Sequence, residues 1–322
     1  MLSIYQLMKY LRNTHHIHVK SSQTQNLRNI GYYHGFKGYR FIRVDTNRVN
    51  FSSLDEVIAL NKYDMQLKTI LYPKVMFIEN ALKSYVIEAL LADSKTENFD
   101  VIYNKSLTSY RNHSPGSRTY KTEYTKRMKL KGKINAALVR DYNKRSVVAH
   151  FFNNDMAIPV WAIFETLSLG EFGTLYDCAG TNVKLYVSKI MKLPTNLDSD
   201  GMNTQYFIFT IKDLRNAIAH NNVIFDTRFK TGKIAQRLVT LLESEVGISN
   251  IDFKYMDAYV IMITYFLRKM GETKTVCKQF LTSYQQQTEY LRNSLPINIY
   301  NQVVGTQHKP NMIALQNYIR MS

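Results

Sequence analysis

The chain has 322 residues, with 42 Lys and Arg against 25 Asp and Glu, and its formal charge is +17. This length accommodates one large domain or two modest ones, and the positive charge favours a polyanionic partner such as RNA, DNA or a membrane surface. The two cysteines, Cys178 and Cys277, are too few and too far apart for a disulfide framework or a cysteine metal cluster, so we expect a reducing, cytoplasmic setting. The longest apolar run, from Ala258 to Leu267, is too short to cross a bilayer, and we expect neither an export signal nor a membrane span.

The amino-terminal segment is predicted to form short helices separated by polar connectors. Ile4 to Arg12 carries its apolar residues on one side, and three histidines follow it, His15, His16 and His18. These histidines have no carboxylate or cysteine nearby, so a loop or an RNA-facing patch is favoured over a metal site.

Aromatic and basic residues alternate between residues 30 and 43, where a predicted helix ends near Tyr33. Gly35 and Gly38 interrupt the helical periodicity in this segment. Lys37 and Arg40 could hold RNA phosphates while the neighbouring rings stack on bases. Core packing between two small helices is the other interpretation of these rings, and it is the favoured one.

Pro73 divides the next apolar segment. Ser53 to Tyr72 begins with a helix start that has acids in its first turn, and Lys74 to Ala92 carries a buried-type apolar stripe. We therefore predict two helices that meet at Pro73 and pack as an antiparallel pair.

The region from Lys105 to Arg145 is strongly basic, since it holds twelve Lys and Arg and only two acids. A run of charge often forms only a solvated face, but the tyrosines interleaved here could stack on unpaired bases. We therefore predict RNA contact by Tyr120, Lys121, Tyr124, Lys126, Arg127, Lys129, Lys131 and Lys133, together with Lys37 and Arg40 from the amino-terminal segment.

The carboxyl-terminal half is predicted to contain several amphipathic helices. They are expected near residues 159–169, 181–193, 230–246, 254–269 and 274–292. In the first of them Trp161 and Phe164 are expected to face inward, with Gly170 and Gly173 following the helix. Residues 297–322 show little periodicity, so we expect a loosely held tail or partner arm there.

One predicted helix ends in an unusual polar group. Phe207, Ile211, Leu214 and Ile218 recur at the spacing of one buried face. Asp198 to Asp200 offer capping groups at the start, and Asn221 and Asn222 suit a carboxyl-terminal cap, because Asn tolerates the left-handed conformation. Near this end we expect three polar side chains to converge: Arg215, Asn216 and His220.

This combination suits cleavage of RNA without a metal or any other cofactor. The His220 imidazole can move a proton near neutral pH, and the Arg215 guanidinium can hold a phosphate as charge develops on it. Asn216 would orient either partner. Similar Arg-to-His spacings occur at Arg12 and His18, Arg28 and His34, and Arg145 and His150. The first leads into a His-rich connector, the second into a segment broken by glycines, and the third into a helix end that lacks the Asn.

Three segments resemble known protein families. The string LRNAIAHNN, residues 214 to 222, is similar to the R-N-x-x-x-H motif of HEPN-fold ribonucleases. Ile30 to Phe41 and His150 to Tyr176 resemble blocks of the abortive-infection, AbiD/AbiF-like proteins of bacterial phage defence. Family members often have a further His or basic residue directly after the motif His, where this chain has Asn221. A Tyr two residues after His220 is also absent, so the chain does not resemble the HEPN toxins that are modified on that Tyr.

The resemblance implies an all-α fold with a HEPN-like helical bundle. We expect an amino-terminal helical region with a basic insertion at 1–139, the bundle at 140–293 and a tail at 294–322. The implied function is a defence endoribonuclease that acts as a homodimer, because HEPN nucleases place two Arg-His sets together, and that is regulated by bound RNA. The alternative is a non-catalytic protein that holds a structured non-coding RNA. A DNA-binding regulator is less favoured, since no recognition helix stands out.

Overall fold

The computed structural model describes residues 2–322, and this part of the chain is helical without a β-strand. The predicted all-α class is therefore confirmed. None of the helices in this range is both long and apolar enough to span a membrane. In chain order the helices are α1 (Ile4–His15), α2 (Thr24–Ile30), α3 (Lys37–Tyr39), α4 (Leu54–Ser94), α5 (Phe99–Lys105), α6 (Arg118–Tyr142), α7 (Ser146–Asn153), α8 (Val160–Thr166), α9 (Leu169–Cys178), α10 (Thr181–Ile190), α11 (Met202–Ala219), α12 (Gln236–Val246), α13 (Met256–Lys269), α14 (Lys274–Ser294), α15 (Ile297–Val304) and α16 (His308–Met321).

Helix α4 is one continuous helix of 41 residues, so the predicted antiparallel pair around Pro73 is wrong. Pro73 lies on the exposed side, where water can bond the carbonyl that loses its amide partner. On the opposite side Leu71, Val75 and Ile78 are fully buried. The apolar stripe thus runs on past the proline, and burial outweighs the one missing hydrogen bond.

The chain forms two compact units that are not contiguous in sequence. The first comprises Met1–Val75, Asp213–Ile234 and Leu242–Ser322, and the second comprises Met76–Lys212 and Ala235–Leu241. This division differs from the boundaries near residues 139 and 293 that we expected. Helices that start in one unit and end in the other explain why the sequence pattern did not reveal it.

The first unit contains a helix that is buried on all sides. Every residue of α13 from Met256 to Leu267 is buried. Helices α14 and α16 pack against α13 and against each other, and α15 packs against α14. Residues 297–322 are therefore two packed helices and not the loose tail that we expected, because Leu315 and Ile319 are fully buried.

The second unit is organised around helix α6, which packs against α7, α8 and α9. Gly170 and Gly173 lie inside α9, which begins with a capping box between Ser168 and Glu171. A Cβ on Gly173 would lie 3.1 Å from the side chain of Ile208, so the glycine permits this close approach. Trp161 is 40% exposed, contrary to the inward orientation that we predicted.

We expect Pro73→Ala to raise the free energy of unfolding by about 1–3 kcal/mol, because the substitution restores a helical hydrogen bond in the middle of α4. Urea denaturation followed by circular dichroism measures the change. Pro115→Ala, in the exposed turn before α6, is the control and should lower stability by no more than about 1 kcal/mol. A destabilised Pro73→Ala protein would contradict a continuous helix α4.

Candidate active site at the carboxyl end of helix α11

Helix α11 is anchored by an apolar face and by acids at its start. Phe207, Ile211 and Leu214 are fully buried, as the spacing predicts. Asp198 accepts a hydrogen bond from the backbone N–H of Asn203 at 2.9 Å, and Asp200 accepts one from Met202 at 3.2 Å. The predicted amino-terminal capping by this acidic loop is thus confirmed for both aspartates.

The helix ends in the asparagine cap that the sequence predicts. Asn221 has a φ of 53°, in the left-handed region. Its N–H donates to the Ile218 carbonyl at 3.1 Å, and the N–H of Asn222 donates to the Ala217 carbonyl at 2.8 Å. These two bonds form a Schellman motif, and His220 occupies the capping position just before the left-handed residue.

The polar side chains at this end differ in exposure. Arg215 and Asn216 are half-buried, whereas His220 is exposed. Arg215 Nη1 donates to Asn216 Oδ1 over 3.4 Å, and the N–H of His220 donates to the Asn216 carbonyl at 3.0 Å. Among residues 2–322, no hydrogen bond or ion pair occupies the His220 ring, so the imidazole is open to a ligand from solvent.

A buried carboxylate on helix α4 holds the segment that follows His220. Asp64 is fully buried, and its Oδ1 accepts hydrogen bonds from the backbone N–H groups of Ile224 and Phe225, each at 2.8 Å. Its Oδ2 accepts the Tyr39 hydroxyl at 3.1 Å and pairs with Lys68 Nζ at 2.9 Å. Burial and the Asp64 charge raise the pKa of Tyr39, which keeps this hydroxyl protonated as a donor.

Lys68 extends this network to the helix cap itself. Its ammonium donates to Asn221 Oδ1 at 2.9 Å, and the residue is only 7% exposed. The amide that terminates α11 is therefore tied to Asp64 through one buried lysine. Such support restricts the orientation of the turn that carries His220.

A second buried aspartate binds the amino-terminal aromatic segment to the same stretch. Asp226 is fully buried, accepts the N–H of Arg43 at 2.6 Å and pairs with Arg228 at 2.7 Å. The Arg228 guanidinium also donates to the carbonyls of Gly38 and Phe41. The aromatic segment and the helix end, which are far apart in sequence, thus share one hydrogen-bonded network.

Sequence reasoning missed the four charged residues of these networks, Asp64, Lys68, Asp226 and Arg228. Asp64 and Lys68 stand four apart on an apolar helix, and an ion pair at that spacing between buried neighbours is the signal that could have revealed them. Asp226 and Arg228 follow the motif closely but resemble an ordinary polar loop. Only the folded chain shows that both aspartates are buried.

The competing Arg-to-His spacings have other local roles. Arg145 forms ion pairs with Asp141 at 3.2 Å and with Glu165 at 3.9 Å, so its charge is already matched. His150 is exposed near the end of α7. Arg12 donates to a backbone carbonyl through Nε at 2.9 Å.

The amino-terminal histidines form no metal cluster. His15 contacts the Tyr32 hydroxyl at 3.3 Å and the Arg48 guanidinium at 3.2 Å, and burial together with the nearby cations lowers its pKa. Within residues 2–322, no group of three His, Cys, Asp or Glu side chains is placed to hold a metal ion. His15 acts instead as a packed ring within an aromatic cluster.

Helix α6 exposes three of the predicted RNA ligands. Lys121, Lys129 and Lys133 face solvent, and none of them forms an ion pair with a residue in the described range 2–322. Lys121 and Lys129 line an open depression of about 670 Å³ together with Arg118. These lysines recur at helical spacing and therefore form one basic face of α6.

Arg127 departs from the predicted exposed role. It is 5% exposed, and its guanidinium donates to the Tyr103 carbonyl at 2.7 Å and lies 3.7 Å from the centre of the Tyr103 ring. Tyr120 and Tyr124 stack on each other at 6.1 Å, and both are half-buried. Of these two tyrosines, Tyr124 lies near the buried arginine, with Arg127 Cζ 5.6 Å from the centre of its ring.

The other predicted ligands are held by neighbouring groups. Lys126 pairs with Asp177 at 2.6 Å and with Glu123 at 2.8 Å, and Lys131 pairs with Asp100 at 3.0 Å. In the first unit, exposed Lys37 lies over the Tyr33 ring at 4.9 Å. Half-buried Arg40 lies over the Phe41 ring at 4.5 Å. Fewer of the predicted RNA ligands are exposed and without a charged or aromatic partner than the composition suggests.

The fold and the helix end define an all-helical protein with a supported polar site at one helix terminus. The family model of Abi-like proteins matches residues 25–226, which is well over half of the chain and includes all three resembling segments. The chain therefore belongs to the Abi-like family, and the abortive-infection resemblance is supported. No curated protein and no solved structure matches the chain significantly.

We expect Asp64→Asn to lower the free energy of unfolding by about 3 kcal/mol, because the Lys68 charge would stay buried without its carboxylate. Urea denaturation measures the change. Asp100→Asn is the matched control, since Asp100 pairs with Lys131 but its side chain is 74% exposed. This control should shift stability by less than about 1 kcal/mol. Equal effects of the two substitutions would argue against the Asp64 network.

Proposed function

We propose that this protein is a phage-defence endoribonuclease that cleaves RNA without a metal ion at Arg215, Asn216 and His220. The observation that carries the proposal is the exposed imidazole of His220 at the capped end of α11, one turn beyond the Arg215–Asn216 pair. Transesterification of RNA requires at least a base for the 2′-hydroxyl and a cation for the charge on the phosphorane, and His220 and Arg215 are groups of these two kinds. The HEPN-like motif supports the same assignment.

The chemistry follows from these groups. His220 accepts the proton of the RNA 2′-hydroxyl, the 2′-oxygen attacks the adjacent phosphorus, and the bond to the 5′-oxygen breaks. A second imidazole protonates the leaving 5′-oxygen, and Arg215 balances the charge on the phosphorane oxygens. The products are a 2′,3′-cyclic phosphate and a 5′-hydroxyl, and no cofactor enters the reaction.

The mechanism requires an acid and a base, whereas the chain offers one supported Arg-His set. A second copy of the chain would supply the other imidazole, so the proposed active species is a homodimer. A bound non-coding RNA would regulate it in the cytoplasm. The ligand face for that RNA consists of Lys121, Lys129 and Lys133 on α6, which the structure leaves exposed.

The same basic face favours one alternative function. A protein that only binds a structured RNA needs exposed cations along a rigid helix, and α6 provides them without any cleavage chemistry. In that case Arg215 and His220 would be RNA ligands or structural caps. Cleavage assays distinguish the two functions.

We expect His220→Ala to reduce RNA cleavage at least about 100-fold, because the proton transfer would lose its imidazole. The assay incubates end-labelled single-stranded RNA with each protein in EDTA and identifies the product ends by mass spectrometry. His150→Ala is the matched control, since His150 is also an exposed histidine at a helix end, and it should cleave as the wild type does.

If the His220→Ala protein cleaves RNA at the same rate as the wild type, the proposed site is wrong. If neither protein cleaves and both retain the same RNA through purification, the binding function is favoured instead.

We expect replacement of Lys121, Lys129 and Lys133 by Gln to weaken RNA binding. The slope of log K against log salt concentration should fall in magnitude by about 2, because three phosphate contacts would be lost. Filter binding at several salt concentrations measures both quantities. The matched control replaces three exposed lysines elsewhere, Lys9, Lys105 and Lys189. A slope that falls equally in both triple variants would show that the α6 face has no special role.

A further inference from the structure

A second candidate ligand site lies in the carboxyl-terminal helices, outside residues 25–226 that match the family. Helices α14, α15 and α16 enclose a cleft of about 620 Å³. Sites for small organic ligands commonly have volumes of this order, whereas a lone phosphate ion would leave most of the space unfilled. The cleft belongs entirely to the first unit.

The inner wall of the cleft is a fixed polar network. His308 Nδ1 lies 2.9 Å from Asp257 Oδ1, and His308 Nε2 lies 3.0 Å from the Thr288 hydroxyl. Tyr284 donates to the same Asp257 oxygen at 2.7 Å. Both ring nitrogens of His308 are thus occupied, so the ring forms a rigid wall.

Two exposed cations line the cleft and form no ion pair within the described part of the chain. They are Arg292 on α14 and Lys309 on α16. The Arg292 guanidinium lies 5.5 Å from the centre of the Tyr300 ring, which holds it beside the opening. A guanidinium and an ammonium on two helices that pack against each other suit a phosphate group.

The cleft is also lined by an acid, Glu289, and by an amide, Asn301. Glu289 Oε1 accepts a hydrogen bond from Asn293 at 3.2 Å, so its other oxygen is available to hydroxyl donors. Asn301 is half-buried and can donate to and accept from a base edge. Tyr300, which is 9% exposed, and Ile313, which is 51% exposed, provide apolar surface in the same cleft.

The turn between α15 and α16 is restrained, which fixes the shape of the cleft. Gly305 has a φ of 89°, a conformation that favours glycine, and a Cβ there would lie 3.1 Å from the Tyr255 ring. The turn therefore packs tightly on Tyr255 and leads directly into His308.

We propose that this cleft binds a ribonucleotide, with its phosphate on Arg292 and Lys309, its ribose hydroxyls on Glu289 and its base against Tyr300 and Asn301. The cations alone would suit any anion, but the volume and the mixed acid, amide and aromatic lining match a nucleotide. The ligand is either a free nucleotide or the phosphorylated terminal nucleotide of an RNA. This assignment does not depend on the proposed nuclease.

The test measures binding to the full-length protein after bound RNA has been removed with high salt. Equilibrium dialysis uses labelled AMP, GMP, CMP and UMP, with dAMP and inorganic phosphate as competitors. A parallel series uses short RNA with and without a terminal 3′-phosphate, in EDTA. The variant Arg292→Gln/Lys309→Gln is compared with Lys278→Gln/Arg320→Gln, which removes one Lys and one Arg from another face of the same two helices.

We expect at least about tenfold weaker nucleotide binding in the Arg292→Gln/Lys309→Gln protein and less than about twofold change in the control. Glu289→Gln should reduce the preference for AMP over dAMP. Binding of free nucleotides identifies a soluble ligand, and binding only of RNA with a terminal phosphate identifies an RNA end; both support the site. Absence of saturable binding, equal losses in the two double variants, or competition by inorganic phosphate as strong as that by AMP would each overturn it.

Discussion

The site depends on the hydrogen bonds and the ion pair that the buried carboxylate of Asp64 forms. A charge in the interior is tolerated only when it is paired and hydrogen-bonded, and Asp64 obtains its partners from three separate parts of the chain. They are the Tyr39 hydroxyl, the Lys68 ammonium and the backbone after the α11 cap, which is 160 residues away in sequence. The carboxylate therefore determines where the segment after His220 lies.

In this arrangement, the residues that hold the backbone differ from the residue that we propose to transfer a proton. Lys68 and Asp226 are almost completely buried and hold the backbone around the end of α11, whereas His220 is left exposed. For the nuclease that we propose, such a division would let the imidazole meet the RNA while its backbone stays fixed. The aromatic segment contributes to the same support through Arg228, which explains its position beside the motif in the fold.

The charge of the molecule is a weaker guide to its binding surface than it first appears. On helix α6, Arg127 donates to a buried carbonyl while Lys126 and Lys131 pair with carboxylates, which leaves a narrower row of exposed lysines without ion pairs. At the carboxyl-terminal cleft the opposite holds, since Arg292 and Lys309 are unpaired in a region of ordinary composition. Whether a cation has a partner depends on contacts between elements, which composition does not record.

Local sequence patterns predicted the helical class and both ends of α11, because helix periodicity and capping are properties of neighbouring residues. The Asn221 cap is the clearest example. Packing between distant segments, by contrast, explains why α4 continues through Pro73, why residues 297–322 form packed helices and why Arg127 is buried. Each of these outcomes is set by apolar faces and charges that meet across distant segments. A proline breaks a helix or is tolerated, and an arginine binds solvent or the core, according to those long-range contacts.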